Sequence, residues 1–346
     1  MARKQKEKVL VLDSDSAVYA VGFMCQKKIH FAEYKGDIVY TCTDKRKGNK
    51  WLKKQELYPA DEVEWDFKEE LSPVSTALAN IKSWVEKQLE FSGCSRVIPL
   101  LTKGGSDFRN NMATIQRYKG NRLQSVKPKH YDALRTYLQK FYGALMYAKW
   151  EADDTAVMIM EKGKGNPDKS YILAAIDKDL KQMDCMHSDP NHPEQGVYAV
   201  SVFEGWHAFY VQMLMGDGAD NIKGLSGTKG HPGVGKVTAL KMLEDCETVE
   251  QLCTVVWEAY QAKYPEPFKL LFWWWSDEWE DDDAGVLAKR KTHRTKTKTV
   301  DAQYMFRENA DLLYMLRHEH DQFIPHIKFP KWKPYKNGVV PHVLGD

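Results

Sequence analysis

Glu151, Asp153 and Asp154 put three carboxylates in four positions, just ahead of the apolar run Ala156-Val157-Met158-Ile159-Met160. On a helix Glu151 and Asp154 share a face, where like charges repel, and a bound cation is one way to hold them together. Acidic residues also complement the dipole at a helix start, so this stretch alone reads equally as an N-terminal charge cluster. Three other places weigh on the choice. Asp13 and Asp15 follow Val9-Leu10-Val11-Leu12, Asp177 and Asp179 follow Tyr171–Ile176, and Asp217 and Asp220 flank Gly218-Ala219. Capping explains each pair cheaply, but explains the four places together poorly. If the strands are parallel neighbours, their C-terminal ends open on one crevice, where so many carboxylates cannot all stay ionised. Oxygen donors without paired His or Cys favour Mg²⁺ or Mn²⁺ over zinc. A cluster of this size suits two ions about 3.5–4 Å apart, the arrangement that promotes phosphodiester hydrolysis.

The elements that must carry these groups follow from hydrophobic patterning. Val9–Leu12 and Tyr171–Ile176 read as buried parallel strands, Val97–Leu101 as a strand whose Pro99 suits an edge or bulge, and Val197–Val202 as a short strand. Helical spacing marks Ser75–Phe91, Tyr131 through Leu145, the stretch bearing Phe209 to Leu214, Val249–Tyr260 and Asn309–Leu316. Between Ile29 and Leu57 the pattern predicts strands around a Lys-rich turn at Asp44–Asn49. The fold class is therefore α/β with a largely parallel sheet.

With 50 Lys and Arg against 48 Asp and Glu, a formal charge of +2, total charge says nothing about nucleic acid, and its distribution must decide. From Lys103 to Lys140 nine cations (Lys103, Arg109, Arg117, Lys119, Arg122, Lys127, Lys129, Arg135, Lys140) face only Asp107 and Asp132, with Tyr118, Tyr131 and Tyr137 interleaved. Cations alternating with aromatic rings suit single-stranded nucleic acid, although such runs are often solvated faces. Gly104-Gly105 lacks the Gly-Lys-Ser/Thr of a phosphate loop. Six scattered cysteines with no Cys-x-x-Cys pair read as reduced thiols of a cytoplasmic protein. No apolar run is long enough for a signal-peptide core or a membrane span.

Taken in order, these motifs resemble the 5′-nuclease family, the 5′→3′ exonucleases and flap endonucleases related to the N-terminal domain of bacterial DNA polymerase I, and the bacteriophage-type members most. The match is carried by the strand ending at Asp13, Phe108-Arg109, Tyr118-Lys119-Gly120-Asn121-Arg122, Glu151-Ala152-Asp153-Asp154, Asp177-Lys178-Asp179-Leu180, Gly216-Asp217-Gly218-Ala219-Asp220-Asn221-Ile222, Gly224 and Pro232–Ala239. The resemblance implies a PIN-like nuclease domain with a helical arch and a C-terminal helix–turn–helix region that grips duplex DNA. It also implies residue roles. Asp13, Glu151, Asp153, Asp154, Asp177, Asp179, Asp217 and Asp220 match the metal-binding set. Lys119 and Arg122 match the basic residues at the arch base that contact the scissile phosphate. Tyr118 would stack beside them and Arg109 would bind nucleic acid. Gly233, Val234, Gly235, Lys236 and Thr238 match the helix–turn–helix, where backbone amides meet duplex phosphates and K⁺ is held by backbone oxygens.

The implied protein is a Mg²⁺- or Mn²⁺-dependent monomeric nuclease acting on DNA 5′ ends, flaps and junctions, with RNA–DNA hybrid left open as a second substrate. It would work in replication, in the host cytoplasm if phage-encoded. The expected division is a nuclease domain over 1–203, with its basic arch or clamp at about 103–140, and a helical duplex-binding region over 204–346. Two departures stand out. Thr102 occupies the position, six residues before Phe108, where relatives carry a further metal-site Asp, and Thr228–His231 lengthens the turn before Pro232, with His231 read as a solvated loop residue. Two other readings stay open: a DNA-binding homologue that has lost turnover, which Thr102 would explain, and a PIN-like ribonuclease, against which the duplex-gripping turn argues. Beyond residue 243 the match fades. An insertion over 272–300 places Phe272 and three tryptophans, expected to pack on the body, before an acidic block and then a basic one. The acidic block reads as a solvated loop, while the basic block either follows duplex phosphates or is disordered. The tail after Phe323 reads as extended.

Overall fold

Val9, Leu10, Val11 and Leu12 lie buried at the heart of the main sheet, and at about 1.5–3 kcal/mol per buried aliphatic side chain they anchor it. The computed structural model describes residues 6–103, 108–122, 126–225, 227, 233–275, 279–281, 287–290, 293–329 and 332–334. β1 (Glu7–Asp13) and α1 (Asp15–Met24) lead into β2 (Gln26–Tyr34), β3 (Asp37–Cys42), α2 (Lys45–Leu52) and β4 (Glu64–Leu71). Next come α3 (Val74–Ser92), β5 (Arg96–Leu100), α4 (Phe108–Met112), α5 (Tyr131–Tyr142), α6 (Ala152–Gly163), β6 (Lys169–Ala174), β7 (Met186–Ser188), β8 (Val197–Ala199) and α7 (Val202–Met215). The rest is α8 (Lys236–Met242), α9 (Val249–Lys263), β9 (Phe268–Trp275), β10 (Trp279–Asp281), β11 (Leu287–Arg290), β12 (His293–Val300) and α10 (Ala302–Leu313).

The main sheet runs β5-β1-β6-β7-β8. Its first three pairings are parallel and only β8 is antiparallel, so the C-terminal ends of β5, β1 and β6 share one edge. Pro99 sits in β5, at the sheet's margin, where its missing N–H costs no ladder bond to a further strand. One face packs on α1, α3 and α5 through Leu10, Leu12, Val18, Ile81, Val85, Leu134 and Leu138. The other packs on α6 through Val11, Leu173, Ala156, Val157 and Met160. A larger cluster joins residues 112–118 to α7, α9 and α10 around Phe209, Tyr260 and Phe306. The C-terminal helical mass is thereby fused to the basic segment.

Several expectations are corrected. Asp44 does not start a turn; its carboxylate accepts the Arg46 N–H and caps α2, while the reversal between β2 and β3 falls at Lys35 and Gly36, both with positive φ. β2, β3 and β4 form their own antiparallel sheet, order β3-β2-β4. The segment at Val197–Val202 is a strand only to Ala199, because Ser201 and Glu204 form a capping box that starts α7. The last helix ends at Leu313 rather than running from Asn309 to Leu316. In the 272–300 insertion, β9 pairs antiparallel with β12, and β10 with β11. The basic block is thus largely strand, and only parts of the acidic block fall within the described residues. Phe272 packs on Tyr304 with ring centroids 5.3 Å apart.

Candidate metal and nucleic-acid site

The site forms at the shared edge of the parallel sheet. β1 ends at Asp13, β6 gives way to Ile176 and Asp177, and β5 gives way to Thr102. Thr102 fastens the acidic helix to this edge: its Oγ1 accepts the Ala152 N–H at 3.0 Å, at the start of α6. Asp13, Glu151, Asp153, Asp177 and Asp220 line one open cleft of about 660 Å³, together with Lys119, Arg122, Tyr131 and Arg135. Of the expected acids, Asp179 and Asp217 lie beside this group. They join Asp220 in a triad whose carboxylate oxygens are within 4.8 Å of one another.

The Asp177-Lys178-Asp179 motif does not continue as extended chain from β6. Asp177 caps a 3₁₀ turn, Lys178–Gln182, by accepting the Asp179 N–H at 2.9 Å. That turn sends Asp177 into the cleft and Asp179 toward Gln212, whose amide hydrogen-bonds it. The loop bearing Asp217 and Asp220 closes on itself through reciprocal Asp217–Ile222 backbone bonds of 2.9 and 2.8 Å. Gly216 and Gly224 at its base have φ of +71° and +53° and lie so close that a Cβ on Gly224 would strike the Gly216 backbone. Only glycine suits both the conformation and the contact.

The basic segment is laced to this acidic loop. Lys119 N–H donates to the Asp220 carbonyl at 2.8 Å, Arg122 Nε to that of Ala219 at 2.9 Å, and Asn121 Nδ2 to that of Gly218 at 2.6 Å. Asn221, itself at φ +61°, donates to the Arg117 carbonyl at 2.8 Å. Lys119 Nζ hydrogen-bonds Glu151 and lies 3.9 Å from Asp220, to which Arg122 is paired at 2.6 Å. Lys178 pairs with Asp217 at 2.9 Å.

Crowding shows in the proton affinities. Burial, then the neighbouring Asp15 and Asp177, pushes Asp13 up to about 7, and burial with Asp177 and Asp217 does the same to Asp179. Burial, Asp13 and Asp177 raise Asp153 well above the carboxylate range. For Glu151 burial acts upward, but Lys119 and Arg109 outweigh it and hold the group low. Burial raises Asp220. The Tyr118 hydroxyl lies 2.8 Å from both Glu151 and Asp220. A phenol has one proton to give, so both contacts are fully made only when one carboxyl is protonated, and Asp220 is the one whose burial favours that. The donor set fits a hard divalent cation: it is all oxygen, buried and mutually repelling, and an ion there would relieve the repulsion.

Three expected roles are corrected by burial. Arg109 is fully buried. It grips Asp154 through two nitrogens at 2.6 and 2.8 Å and donates to the Leu312 and Tyr314 carbonyls at 2.9 and 2.8 Å. It therefore cannot face a nucleic acid, and Asp154, with both oxygens committed and a third donor in Leu316 N–H at 3.2 Å, faces away from the cleft group. Tyr118, only 3% exposed, orients carboxylates and has no ring face free to stack on a base. Gly233 and Gly235 are exposed ahead of α8, as are Lys236 and Thr238 in its first turn, and α8 packs on α7. Asp107 and Thr228–His231, with Pro232, lie outside the described residues.

The sequence counted Asp15 with Asp13 among the acidic places, but the family resemblance gave it no role. Its carboxylate accepts the Thr102 N–H at 2.7 Å and pairs with Arg135 at 2.7 Å, and Arg135 also donates to the Thr102 carbonyl at 2.6 Å. The strand-end position of Asp15 was its visible signal. Glu308 gave no signal. Buried in α10, it accepts the N–H groups of Thr114 and Ile115 at 2.8 Å each and fixes the approach to Tyr118 and Lys119.

No protein-family model matches the chain. Over 196 residues, 52% of this chain, it is 24% identical to DNA polymerase I of Bacillus subtilis, spanning about a fifth (21%) of that protein's length. This match agrees with the family resemblance carried by the motifs, most of whose acids the fold has gathered in and beside one cleft. The sequence match and the motifs together point to the 5′-nuclease family. Solved structures of bacteriophage T5 proteins are also similar. They include the T5 D15 protein co-crystallised with metal ions (16% identical, covering 72% of this chain and 78% of that one, TM-score 0.41). The T5 D15 flap endonuclease in a complex with DNA and metal ions is 16% identical, with 74% and 85% covered and a TM-score of 0.42. The T5 5′-exonuclease with zinc bound is 16% identical, with 73% and 79% covered and a TM-score of 0.41. In this chain Thr102 commits its hydroxyl to the start of α6. Among the described residues no helix is long and apolar enough to cross a membrane.

Proposed function

We propose that this protein is a divalent-metal-dependent 5′-nuclease, hydrolysing DNA phosphodiesters at 5′ ends, flaps and single/double-strand junctions as a monomer. The observation that carries the reading is the convergence of Asp13, Asp153, Asp177, Glu151 and Asp220 in one open cleft beside Lys119 and Arg122. Asp13, Asp153 and Asp177 would hold one Mg²⁺ or Mn²⁺, and Asp179, Asp217 and Asp220 a second, with Glu151 between them. Such ions lower the pKa of water and offset charge on a phosphodiester.

The chain's own groups supply the rest. Lys119 and Arg122 would donate charge-assisted hydrogen bonds to the oxygens of the scissile phosphate, where negative charge builds as the bond to the leaving oxygen breaks. Tyr118 and Arg109 hold Glu151 and Asp154 in place, so that the cleft pays little reorganisation when substrate enters. The basic segment from Lys103 to Lys140 would act as an arch or clamp on the 5′ strand. Gly233–Gly235 with Lys236 and Thr238 would meet duplex phosphates through backbone amides and side chains, with K⁺ bound at that turn. RNA–DNA hybrid is a second candidate substrate, and the enzyme would serve phage replication.

The test is Mg²⁺-dependent cleavage of 5′-labelled duplex, flap and RNA–DNA hybrid substrates. Cleavage of at least one, abolished by chelator, is expected; well-folded protein that cleaves none of them overturns the reading.

A further inference from the structure

The sheet of β2, β3 and β4 with its helix α2 lies outside the cleft and has no part in the proposed chemistry, yet its charge is sharply sorted. Residues 45–54 carry six cations (Lys45, Arg46, Lys47, Lys50, Lys53 and Lys54) and no carboxylate, whereas residues 56–70 carry seven carboxylates and one lysine. A merely solvated surface intersperses the two signs. All six cations are exposed. Among the described residues their one ion pair is Arg46 with Asp44 at 3.6 Å, and there the arginine side chain is 93% exposed. The carboxylates are occupied elsewhere or face water: Lys68 pairs with Glu70 at 3.7 Å, and Gln26 hydrogen-bonds Glu69 at 2.7 Å.

The platform under these cations is rigid. Gly48 turns toward the sheet so closely that a Cβ there would strike Trp65 and come within 2.8 Å of Cys42 Sγ, which presses α2 flat against it. Tyr40 stacks on Trp51 at 4.1 Å and 10°, and Trp51 on Tyr58 at 6.0 Å and 29°. The opposite side of α2 is left to water with its cations. The module is also joined to the basic segment beside the cleft. Gln26 Oε1 accepts the Lys129 N–H at 3.0 Å, His130 Nε2 hydrogen-bonds the Ser72 carbonyl at 2.7 Å, and Pro128 lies 2.5 Å from where a Cβ on Gly22 would be. Lys127 and Lys129, at the C-terminal base of that segment, thus sit against the module's root.

We infer that α2 is a second nucleic-acid contact, a phosphate-binding face that holds the strand beyond the stretch engaged in the cleft. The inference rests on the proposed nuclease function for the identity of its polyanion. Four cations on α2 and two just beyond it, five of them without a carboxylate partner among the described residues, match on this fixed scaffold the spaced charges of a sugar–phosphate backbone. Each phosphate neutralised adds about 0.7–0.9 to the slope of log K against log salt concentration. The half-exposed rings beneath the helix are already stacked on one another, so the contact is electrostatic and independent of base sequence.

The experiment compares wild type with the combined variant Lys47→Gln, Lys50→Gln, Lys53→Gln and Lys54→Gln, and with its Lys→Arg counterpart. Binding of long 5′-tailed duplex DNA is measured by anisotropy across a salt series in Ca²⁺, alongside Mg²⁺-dependent cleavage of a short 5′-ended substrate. The Gln variant should lose about three units of salt slope and about tenfold or more in affinity for the long DNA, while cleaving the short substrate at the wild-type rate. The Arg variant should keep both properties. An unchanged salt slope in the Gln variant, with wild type binding and cleaving, overturns this inference alone. A wild type that neither binds nor cleaves overturns the nuclease reading as well.

Discussion

Replacing Asp179 by Asn should stabilise the metal-free protein above neutral pH and destabilise the metal-loaded one, an inversion that only a strained carboxylate cluster produces. Burial and the charges of Asp177 and Asp217 push Asp179 from 3.8 up to about 7. Between those two values the folded protein keeps a proton that the unfolded chain releases. The stability belonging to the protonated carboxyl is therefore whole at low pH and lost as pH rises toward 7, and above 7 the folded state bears the full penalty of the charge. About three pH units at about 1.4 kcal/mol each set an upper figure of about 4 kcal/mol. An amide remains polar and buried, so about 2 kcal/mol is the expected gain for Asp179→Asn. Asn can still accept the Gln212 bond, which keeps the neighbourhood intact. Urea unfolding at pH 5 and pH 8, in EDTA and in saturating Mg²⁺, reads the effect. The variant should match wild type within about 1 kcal/mol at pH 5, exceed it by about 2 kcal/mol at pH 8 in EDTA, and fall below it in Mg²⁺. A variant less stable than wild type at pH 8 in EDTA would refute the reasoning, because it would mean the carboxylate is a net stabiliser without its ion.

Asp153→Ala should abolish cleavage and leave binding of 5′-tailed duplex within about threefold in Ca²⁺, read by paired nuclease and anisotropy assays; retained cleavage would show the site misplaced. Lys119→Ala should slow single-turnover cleavage by about a hundredfold, the usual loss on removing a donor to developing charge, with divalent-ion affinity, measured by calorimetry, not weakened. Arg109→Met should cost about 3–5 kcal/mol in urea unfolding, because it leaves Asp154 buried and unpaired, whereas Arg109→Met with Asp154→Leu should recover most of that loss. Thr102→Val should cost about 1 kcal/mol through the lost bond to Ala152 N–H.

The sheet and its acidic edge were legible because they depend on local signals. A continuous apolar run with carboxylates at its end, as at Val9–Asp13, has few other readings in an α/β chain. Residue type also sufficed to collect Asp13, Asp153, Asp177, Asp179, Asp217 and Asp220, since acids at strand ends and turns mark themselves. Burial did not mark itself. Arg109 and Tyr118 read as surface cation and surface ring because nothing near them in sequence reveals that Leu312, Tyr314 and Phe209 are their surroundings. Asp154 was indistinguishable from Asp153 until the helix turn pointed one inward to Arg109 and the other to the cleft. Asp44 shows the opposite failure: Asp and Gly amid lysines are turn chemistry, yet the same residues cap a short helix when Trp51 and Leu52 have a sheet to pack on.

Arg109 rests on carbonyls at Leu312 and Tyr314, Asp154 receives the N–H of Leu316, and Glu308 clamps Thr114 and Ile115. All of these partners arrive late on the ribosome. Every cleft carboxylate has been synthesised once residue 220 emerges, but the carbonyls that complete the Arg109 site and the Glu308 clamp behind Lys119 are made nearly a hundred residues later. A nascent chain therefore holds all these acids before the partners that brace them exist, and the acidic cleft gains its full support only once α10 and the stretch just after it have been made.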